Sequence, residues 1–466
     1  MLSKQQLEVL KQENPQAIVE LIATTQADSD LLRILKHLGR LPEDFEGDCL
    51  LPLTTHSRSD IRYWAIKNLG KIGSVRYLDV FFEVATQDED SSVRREAVSS
   101  IGRLRSARAI PQLKALLNDP DPKVVLQAVR GLLIFKDDPD VRALLERTLQ
   151  KHPNEMIRMV YDKEFESASK ADAASHPHPY VRKRVANVAL LADVQEVLPL
   201  IPDDTIHLTF TSPPYYNARD YSIYKSYEAY LDFLTAIFAQ VHRITKEGRF
   251  FILNTSPVIV PRISRQYASK RFAIPFDLHA RLIDIGWEFI DDIVWVKPEA
   301  SVKNRNAGFL QHRKPLAYKP NPVTEYLMVY RKQTTHLIDW NIRQYPSEVV
   351  EASKVDGEYF SANVWHIDPT ADKVHPAVFP YALCANVIRY YSFVGDVVFD
   401  PFAGSGTLGE AAYELGRHYF LVEQQETYFN RLQQRLNNQH MFNTSPQHFF
   451  YSLDEYREWA SVSLKL

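Results

Sequence analysis

Two short segments carry residue types suited to chemistry on a planar ring that bears an amino group. The first is Thr211-Ser212-Pro213-Pro214-Tyr215. An apolar run, Ile206 to Phe210, leads straight into it and reads as a buried strand. Two consecutive prolines stiffen the backbone just past the strand end, and neither has an N–H. The Pro213 carbonyl and the Ser212 hydroxyl are then acceptors for an amino group, and Tyr215 offers a ring to stack on. The blander reading is a Pro-Pro turn with a surface tyrosine. The second segment is Phe399-Asp400-Pro401-Phe402-Ala403-Gly404-Ser405-Gly406-Thr407. Here a strand, Val397 to Asp400, runs into a Gly-rich turn and then a helix, Leu408 to Leu415. Gly404, Gly406 and Gly409 fit G-x-G-x-x-G, and Glu423 closes the next strand 19 residues after Gly404. An acid there can hold both ribose hydroxyls of an adenosine-type cofactor. The spacing alone fits NAD equally well. However, Asp400 at the strand end repels a pyrophosphate and suits an ammonium, and no G-K-[ST] follows to cradle ATP phosphates.

Both segments need a sheet to present them. Short apolar runs at Ile206 to Thr211, Phe250 to Asn254, Ile290 to Val296, Tyr326 to Tyr330, Val397 to Asp400 and Tyr419 to Glu423 alternate with helical stretches. That texture predicts an α/β domain with a mostly parallel sheet, whose ligands sit beyond the carboxyl ends of the strands. Upstream the texture differs. Segments starting at Leu31, Ile61, Val93 and Val124 align on Gly39, Gly70, Gly102 and Leu133, spaced 31, 32 and 31 residues apart. Each shows helical periodicity, and Asp/Pro-rich turns separate the pairs, which predicts an α-solenoid.

Composition bounds the rest. A chain of 466 residues requires more than one domain. No apolar run is long enough for a transmembrane helix, and the N-terminus lacks a signal core, so a cytoplasmic, non-membrane protein is expected. Cys49 and Cys384 cannot form a disulfide framework or a zinc cluster, and no metal is expected. The net charge of −3 gives no global nucleic-acid footprint, so any such contact must rest on local basic stretches.

Ser212-Pro213-Pro214-Tyr215 resembles the catalytic motif of the amino-methyltransferases that act on DNA, in which a leading serine usually accompanies N4 of cytosine and an aspartate N6 of adenine. Asp400-Pro401-Phe402-Ala403-Gly404-Ser405-Gly406-Thr407 is similar to that family's cofactor motif. The catalytic motif precedes the cofactor motif, as in the permuted beta group, and the resemblance covers roughly residues 184 to 437. The chain is thus expected to be an N-terminal all-α HEAT-like solenoid (residues 1–165), a linker (166–183), an α/β Rossmann-like methyltransferase domain (184–437) and a C-terminal extension (438–466). The resemblance implies S-adenosyl-L-methionine as cofactor. It implies contacts from Asp193 to the adenine, from Asp400, Phe402, Gly404, Gly406 and Glu423, and from the Lys373-His375-Pro376 segment beside the methionine end. A cap before a Pro-started helix is the preferred reading of His375. Asp292 to Pro298 resembles the strand lining the target-base pocket, where Trp287, Phe289 and Trp295 read mainly as sheet core.

The implied reaction is in-line methyl transfer to an exocyclic amino nitrogen of a flipped-out base. The Ser212 and Pro213 oxygens face the charge that develops there. C5 methylation is rejected, because neither cysteine stands in a Pro-Cys turn on a catalytic strand. Double-stranded DNA is the expected partner. Residues 298–365 match the family's target-recognition insert in placement, and Lys303, Arg305, Arg313, Lys314 and Lys319 are its candidate DNA contacts. Arg243, Lys246, Arg249, Arg262, Arg265, Lys270, Arg271, Arg331, Lys332 and Arg343 add to the local basic balance. The insert is short, so the solenoid is expected to add DNA contacts through Arg94, Arg95, Arg103, Arg105 and Arg108, or to bind a protein partner or a second copy. The alternatives kept open are adenine-N6 methylation, a single-stranded DNA or RNA substrate, and a solenoid scaffold with an inactive methylase half. A nicotinamide-dependent oxidoreductase is the weakest of them.

Overall fold

The computed structural model describes residues 4–462 other than 40, 42–44, 162–163, 166–177, 217–223, 261–265, 267–269, 303–314, 317–319, 356, 358–359, 371, 373–377 and 439–447. It divides into two compact units, residues 1–172 and 173–466.

The first unit is helical: α1 (Lys4–Glu13), α2 (Pro15–Thr24), α3 (Asp28–His37), α4 (Ser59–Ile72), α5 (Leu78–Gln87), α6 (Ser91–Arg103), α7 (Ile110–Ala115), α8 (Pro122–Leu133), α9 (Pro139–Gln150) and α10 (Glu155–Tyr161). The Asp/Pro turns set the helix starts. Asp90, Asp121 and Asp138 accept N–H bonds from the first turns of α6, α8 and α9, and proline opens α8 and α9. The repeat places Leu35, Ile66, Val98 and Val129 at equivalent positions, and all four are fully buried in one continuous core. Successive turns are tied by arginine. Arg62 donates to the carbonyls of His56 and Ser57 and pairs with Asp88; Arg94 donates to those of Asp88 and Glu89 and pairs with Asp119. Arg94, expected among the DNA contacts, is therefore engaged inside the solenoid. The helices approach closely at small residues. A Cβ on Gly70 would lie 2.2 Å from Ser100 Oγ, and one on Gly102 would lie 3.3 Å from the Cα of Gly131. Gly131, two residues before the aligned Leu133, thus faces Gly102 across α6 and α8.

The second unit carries a nine-stranded sheet. Its strands are β1 (Val188–Leu191), β2 (Ile206–Thr211), β3 (Thr245–Thr255), β6 (Trp287–Val296), β7 (Thr324–Lys332), β8 (Val364–His366), β9 (Val397–Asp400), β10 (His418–Glu423) and β11 (Phe449–Ser452), in the order β11-β1-β10-β9-β2-β3-β7-β6-β8. A separate hairpin pairs β4 (Val258–Val260) with β5 (Lys270–Phe272). Only β7 runs against its neighbours in the large sheet. The central strands β2, β9 and β10 are buried on both faces; β9 and β10 read as apolar runs that end in an acid, while β2 buries His207, Thr209 and Thr211 between its apolar residues. The segment after residue 437, read in the sequence as an extension, supplies edge strand β11 and the helix Leu453–Val462. Tyr456 of that helix is fully buried and donates to the Arg184 carbonyl.

The amino end of the sheet is locked by a buried polar cluster. Arg249 pairs with Asp396 and donates to Tyr345 Oη and to the His207 carbonyl, and Tyr345 donates to Asp396 at 2.6 Å. His207 accepts from Val397 N–H at Nδ1 and contacts the His178 carbonyl through Nε2. Burial pushes its pKa down to about 4, so it stays neutral.

Gly70→Val forces a branched side chain into Ser100 and Arg103. The expected loss is about 1–3 kcal/mol from overpacking, read as a lower midpoint of the solenoid transition in thermal or urea unfolding. At Gly73 a Cβ meets nothing within 4 Å, so Gly73→Ala answers only to its left-handed backbone, φ 75°.

Candidate active site

The two chemistry-bearing segments meet because β2 and β9 are neighbours. Thr211 ends β2, Asp400 ends β9, and the Thr211 hydroxyl donates to Asp400 Oδ1 at 2.6 Å across 189 residues of sequence. Beyond them both turns open into one cavity of about 790 Å³. Ser212, Pro213, Pro214 and Tyr215 line one side, and Asp400, Phe402, Gly404 and Glu423 line the other. Asp193 stands at its rim, where it caps the helix Val194–Val197 by accepting from Gln195 N–H. The volume is that of a pocket for a ligand of cofactor size.

On the β9–β10 side the glycines act as their spacing requires. Gly404 and Gly406 adopt φ of 53° and 80°, and a Cβ on Gly406 would strike Leu432 at 2.7 Å. Gly409 lets the helix Thr407–Glu414 lie against β10, since a Cβ there would come within 2.6 Å of Leu421. The Gly404 N–H donates to Glu423 Oε2 at 2.8 Å, and the Gln425 N–H donates to Oε1 at 2.7 Å. Asp400 Oδ1 also accepts from Phe402 N–H at 3.0 Å. Both acids are buried with neutral donors for partners. Burial pushes each pKa up to about 7, against the opposing pull of those hydrogen bonds. The Thr407 hydroxyl lines the same cavity, buried and without a protein partner.

On the other side a hydrogen-bonded group holds the Pro-Pro turn. Tyr215 Oη donates to Glu325 Oε2 at 3.0 Å. Asn254 Nδ2 donates to the same oxygen at 2.6 Å and lies 3.3 Å from Ser212 Oγ. Lys297 pairs with Glu325 Oε1 and sits 4.5 Å over the Trp295 ring. Burial, then the Glu325 charge, raise the Tyr215 phenol well above its ordinary value, so it remains a neutral donor. Sequence reasoning missed Asn254, Lys297 and Glu325 as site residues. Their signal was a polar side chain at the mouth end of an apolar strand, on β3, just past β6 and on β7. Trp295 is both core and cavity wall: it is 4% exposed, and its indole N–H donates to the Ile367 carbonyl.

Other expected site residues fall elsewhere. Lys303, Arg305, Arg313, Lys314 and Lys319 lie outside the described residues, as do Lys373, His375 and Pro376. Several basic residues of the flanking stretches are structural. Arg243 donates to the Leu198 and Ile201 carbonyls, Arg331 to that of Gly248, and Lys332 pairs with Asp204. Arg249 belongs to the buried Asp396 cluster, and Lys246 is 2% exposed. None of these five is placed to meet DNA. Neither cysteine lines the cavity.

A family model described as DNA methylase matches residues 206–434, and one described as HEAT repeats matches 15–100 and 78–161. Type II methyltransferase M.ScaI of Streptomyces caespitosus is 31% identical over 248 residues, 51% of this chain and 77% of its own. Orphan methyltransferase M.BamHII of Bacillus amyloliquefaciens is 30% identical over 257 residues, 51% of this chain and 91% of its own. The chain belongs to the N6/N4 DNA methylase family. As a DNA methylase it acts on DNA and draws its methyl group from S-adenosyl-L-methionine. Among solved structures, a Thermus thermophilus protein described as a DNA modification methylase, complexed with S-adenosyl-L-methionine, is 27% identical. It aligns with a TM-score of 0.46 over 57% of this chain and 98% of its own. The PvuII cytosine-N4-specific DNA methyltransferase aligns at 0.41 with 19% identity, over 63% and 97%.

Glu325→Ala removes the acceptor shared by Tyr215 and Asn254 and leaves Lys297 without its carboxylate. Methyl transfer by this DNA methylase is expected to fall about ten- to a hundredfold, the equivalent of about 1–3 kcal/mol for unsatisfied groups, while affinity for S-adenosyl-L-methionine holds. Single-turnover kinetics beside calorimetric cofactor titration reads both. Equal losses in the two would contradict the separation of the cavity's sides.

Proposed function

We propose that this DNA methylase transfers a methyl group to N4 of a cytosine flipped out of double-stranded DNA. The observation that carries the reading is the meeting of Ser212 and Tyr215 with Asp400 and Glu423 in one cavity, through adjacent strands. S-adenosyl-L-methionine supplies an electrophilic methyl on a sulfonium. The cavity fits it: two buried carboxylates without internal cations face an ammonium and a diol, and the Thr407 hydroxyl awaits a partner. Asp400 holds the ammonium, Glu423 accepts from the ribose hydroxyls, Gly404 allows close backbone approach, Gly406 lets the turn pack against Leu432 behind it, and Asp193 at the rim meets the adenine.

The Ser212 hydroxyl and the Pro213 carbonyl accept from the target amino group and stabilise the positive charge growing on its nitrogen. Tyr215, held by Glu325, presents its ring to the base. Unstacking and unpairing the base costs a few kcal/mol, which these contacts must offset. Serine at 212 favours cytosine N4 over adenine N6.

The test is modification mapping of a methylation-free host expressing the chain or its Tyr215→Ala variant. N4-methylcytosine at one short sequence, absent in the variant, is the expected result. N6-methyladenine instead overturns the base assignment, and no mark from a cofactor-binding protein overturns the activity.

Cofactor affinity should also depend on pH. The ammonium is bound by carboxylate, and Asp400 and Glu423 both titrate near 7 in the free protein. As pH falls through 7, binding must first expel a proton, so affinity weakens by up to about tenfold per pH unit per coupled group. It levels off above 7. Asp400→Asn should bind more weakly and lose one proton from that slope in calorimetry across the range.

A further inference from the structure

One face of the solenoid is lined by more cations than its own carboxylates pair with. The repeat sets equivalent positions of α3, α4, α6 and α8 side by side. Lys36, Lys67 and Arg130 occupy one such row, with Ser99 between the last two. Lys71 and Arg103 occupy the row one turn on. Within these two rows and the adjoining row of Arg33, Trp64, Glu96 and Gln127, Glu96 is the only carboxylate among the described residues, and it is paired with Arg103 at 2.7 Å.

The contrast with Arg62 and Arg94 is informative. Those arginines are buried against aspartates and bind the turns together. Lys67 and Arg130 have no ion-paired carboxylate among the described residues, and Lys36, whose charge helps lower the Asp60 pKa, has none within ion-pair distance. The ammonium of Lys67 lies 4.7 Å over the Trp64 ring and that of Lys71 lies 5.8 Å over it, so one indole holds two like charges together. Lys71 donates to the Gly39 carbonyl and to Asn68 Oδ1, which leaves a third N–H for another acceptor. Burial, and then the neighbouring charges of Lys67 and Arg103, hold the Lys71 ammonium below its ordinary pKa. The group is fixed in place and repels itself, and an anion is the missing counterpart.

We propose that this face binds the phosphate backbone of double-stranded DNA without reading its sequence. The shape of the row argues for an extended polyanion. Neighbouring helices pack about 8–10 Å apart, so a row across four of them spans roughly 25–30 Å. That is about the length of seven to nine base pairs, with a phosphate line along each strand. Among polyanions, DNA is favoured because the same chain carries a DNA methylase unit. The inference rests on that membership and is independent of which base is methylated. Lys36, Lys67 and Lys71 are point charges on flexible stems, which suit phosphates rather than a fixed base-edge pattern, so their contact contributes affinity and leaves sequence choice to other residues.

The full-length chain and its Lys36→Gln/Lys67→Gln/Arg130→Gln variant are titrated with a random-sequence duplex of about 40 base pairs, in salt from about 50 to 200 mM. A control, Lys114→Gln/Arg147→Gln/Lys151→Gln, makes the same charge change on α7 and at α9, the second helices of the last two pairs. The slope of log affinity against log salt is expected to shrink by about 0.9 per lost phosphate contact, up to about 2.7 in the face variant, and to stay unchanged in the control. Arg130→Gln alone, at an exposed site, is expected to lose about 0.9. A face variant with wild-type slope and affinity overturns the proposal, as does a control that loses as much. A face variant that keeps duplex affinity but loses binding to polyglutamate overturns it in favour of an acidic protein partner.

Discussion

Thr211 and Asp400 are the last residues of two adjacent parallel strands, and their side chains meet in a buried hydrogen bond of 2.6 Å. The site depends on that contact. It fixes where the Pro-Pro turn leaves the sheet relative to the Gly-rich turn, and hence how far a bound base can sit from a bound methyl donor. Parallel pairing alone does not fix this, because a slip of one residue would send every side chain of β2 to the opposite face. β2 is held on both sides, Thr211 facing Leu253 of β3 and Thr209 facing Phe399 of β9. The register that makes the catalytic turn is therefore the register of the core.

The two ends of the sheet treat carboxylates in opposite ways. At the amino end Asp396 is equally buried, yet it has Arg249 and the Tyr345 hydroxyl, and the Arg249 charge wins over burial to keep its pKa below the ordinary value. At the carboxyl end Asp400 and Glu423 have only hydroxyl and amide donors. A neutral donor offsets part of the desolvation of a carboxylate and cannot neutralise it. The amino end is thus electrostatically complete, while the carboxyl end keeps two buried carboxylates with no cation paired to them among the described residues.

Much of this was legible in the sequence, for identifiable reasons. The central strands are buried on both faces, so β9 and β10 stand out as apolar runs and β2 as Ile206, Leu208 and Phe210 just ahead of the Pro-Pro turn, and each ends in a polar residue that faces the cavity end of the sheet. The solenoid repeat was readable because Leu35, Ile66, Val98 and Val129 must all face one core. Strands β1, β8 and β11 were not, since runs of three or four residues acquire their meaning from the partner beside them. The Asn254–Glu325–Lys297 group was hidden for a related reason. It exists only in the antiparallel register of β3, β7 and β6, which sets Asn254 opposite Leu327 and Trp295 opposite Glu325. Charge counting misled most. Arg243, Arg249, Arg331 and Lys332 raise the local basic balance, but their partners are carbonyls and carboxylates brought from distant segments.

The order of strands along the chain has a consequence for how the molecule is made. Domains and subdomains fold as they leave the ribosome, amino-terminal parts first. The solenoid can close while the rest is still being translated. Strands β2, β3, β6 and β7 follow, carrying the Pro-Pro turn and the group that braces it. The neighbour that β2 needs on its other side, β9, begins only at Val397, and β1 waits for β10 and β11 from the last fifty residues of the sequence. A nascent chain therefore carries the Pro-Pro turn well before Asp400 and the Gly-rich turn are there to complete the cavity with it. A chain that stops before β9 lacks one wall of that cavity, so the two walls come together only when synthesis is nearly finished.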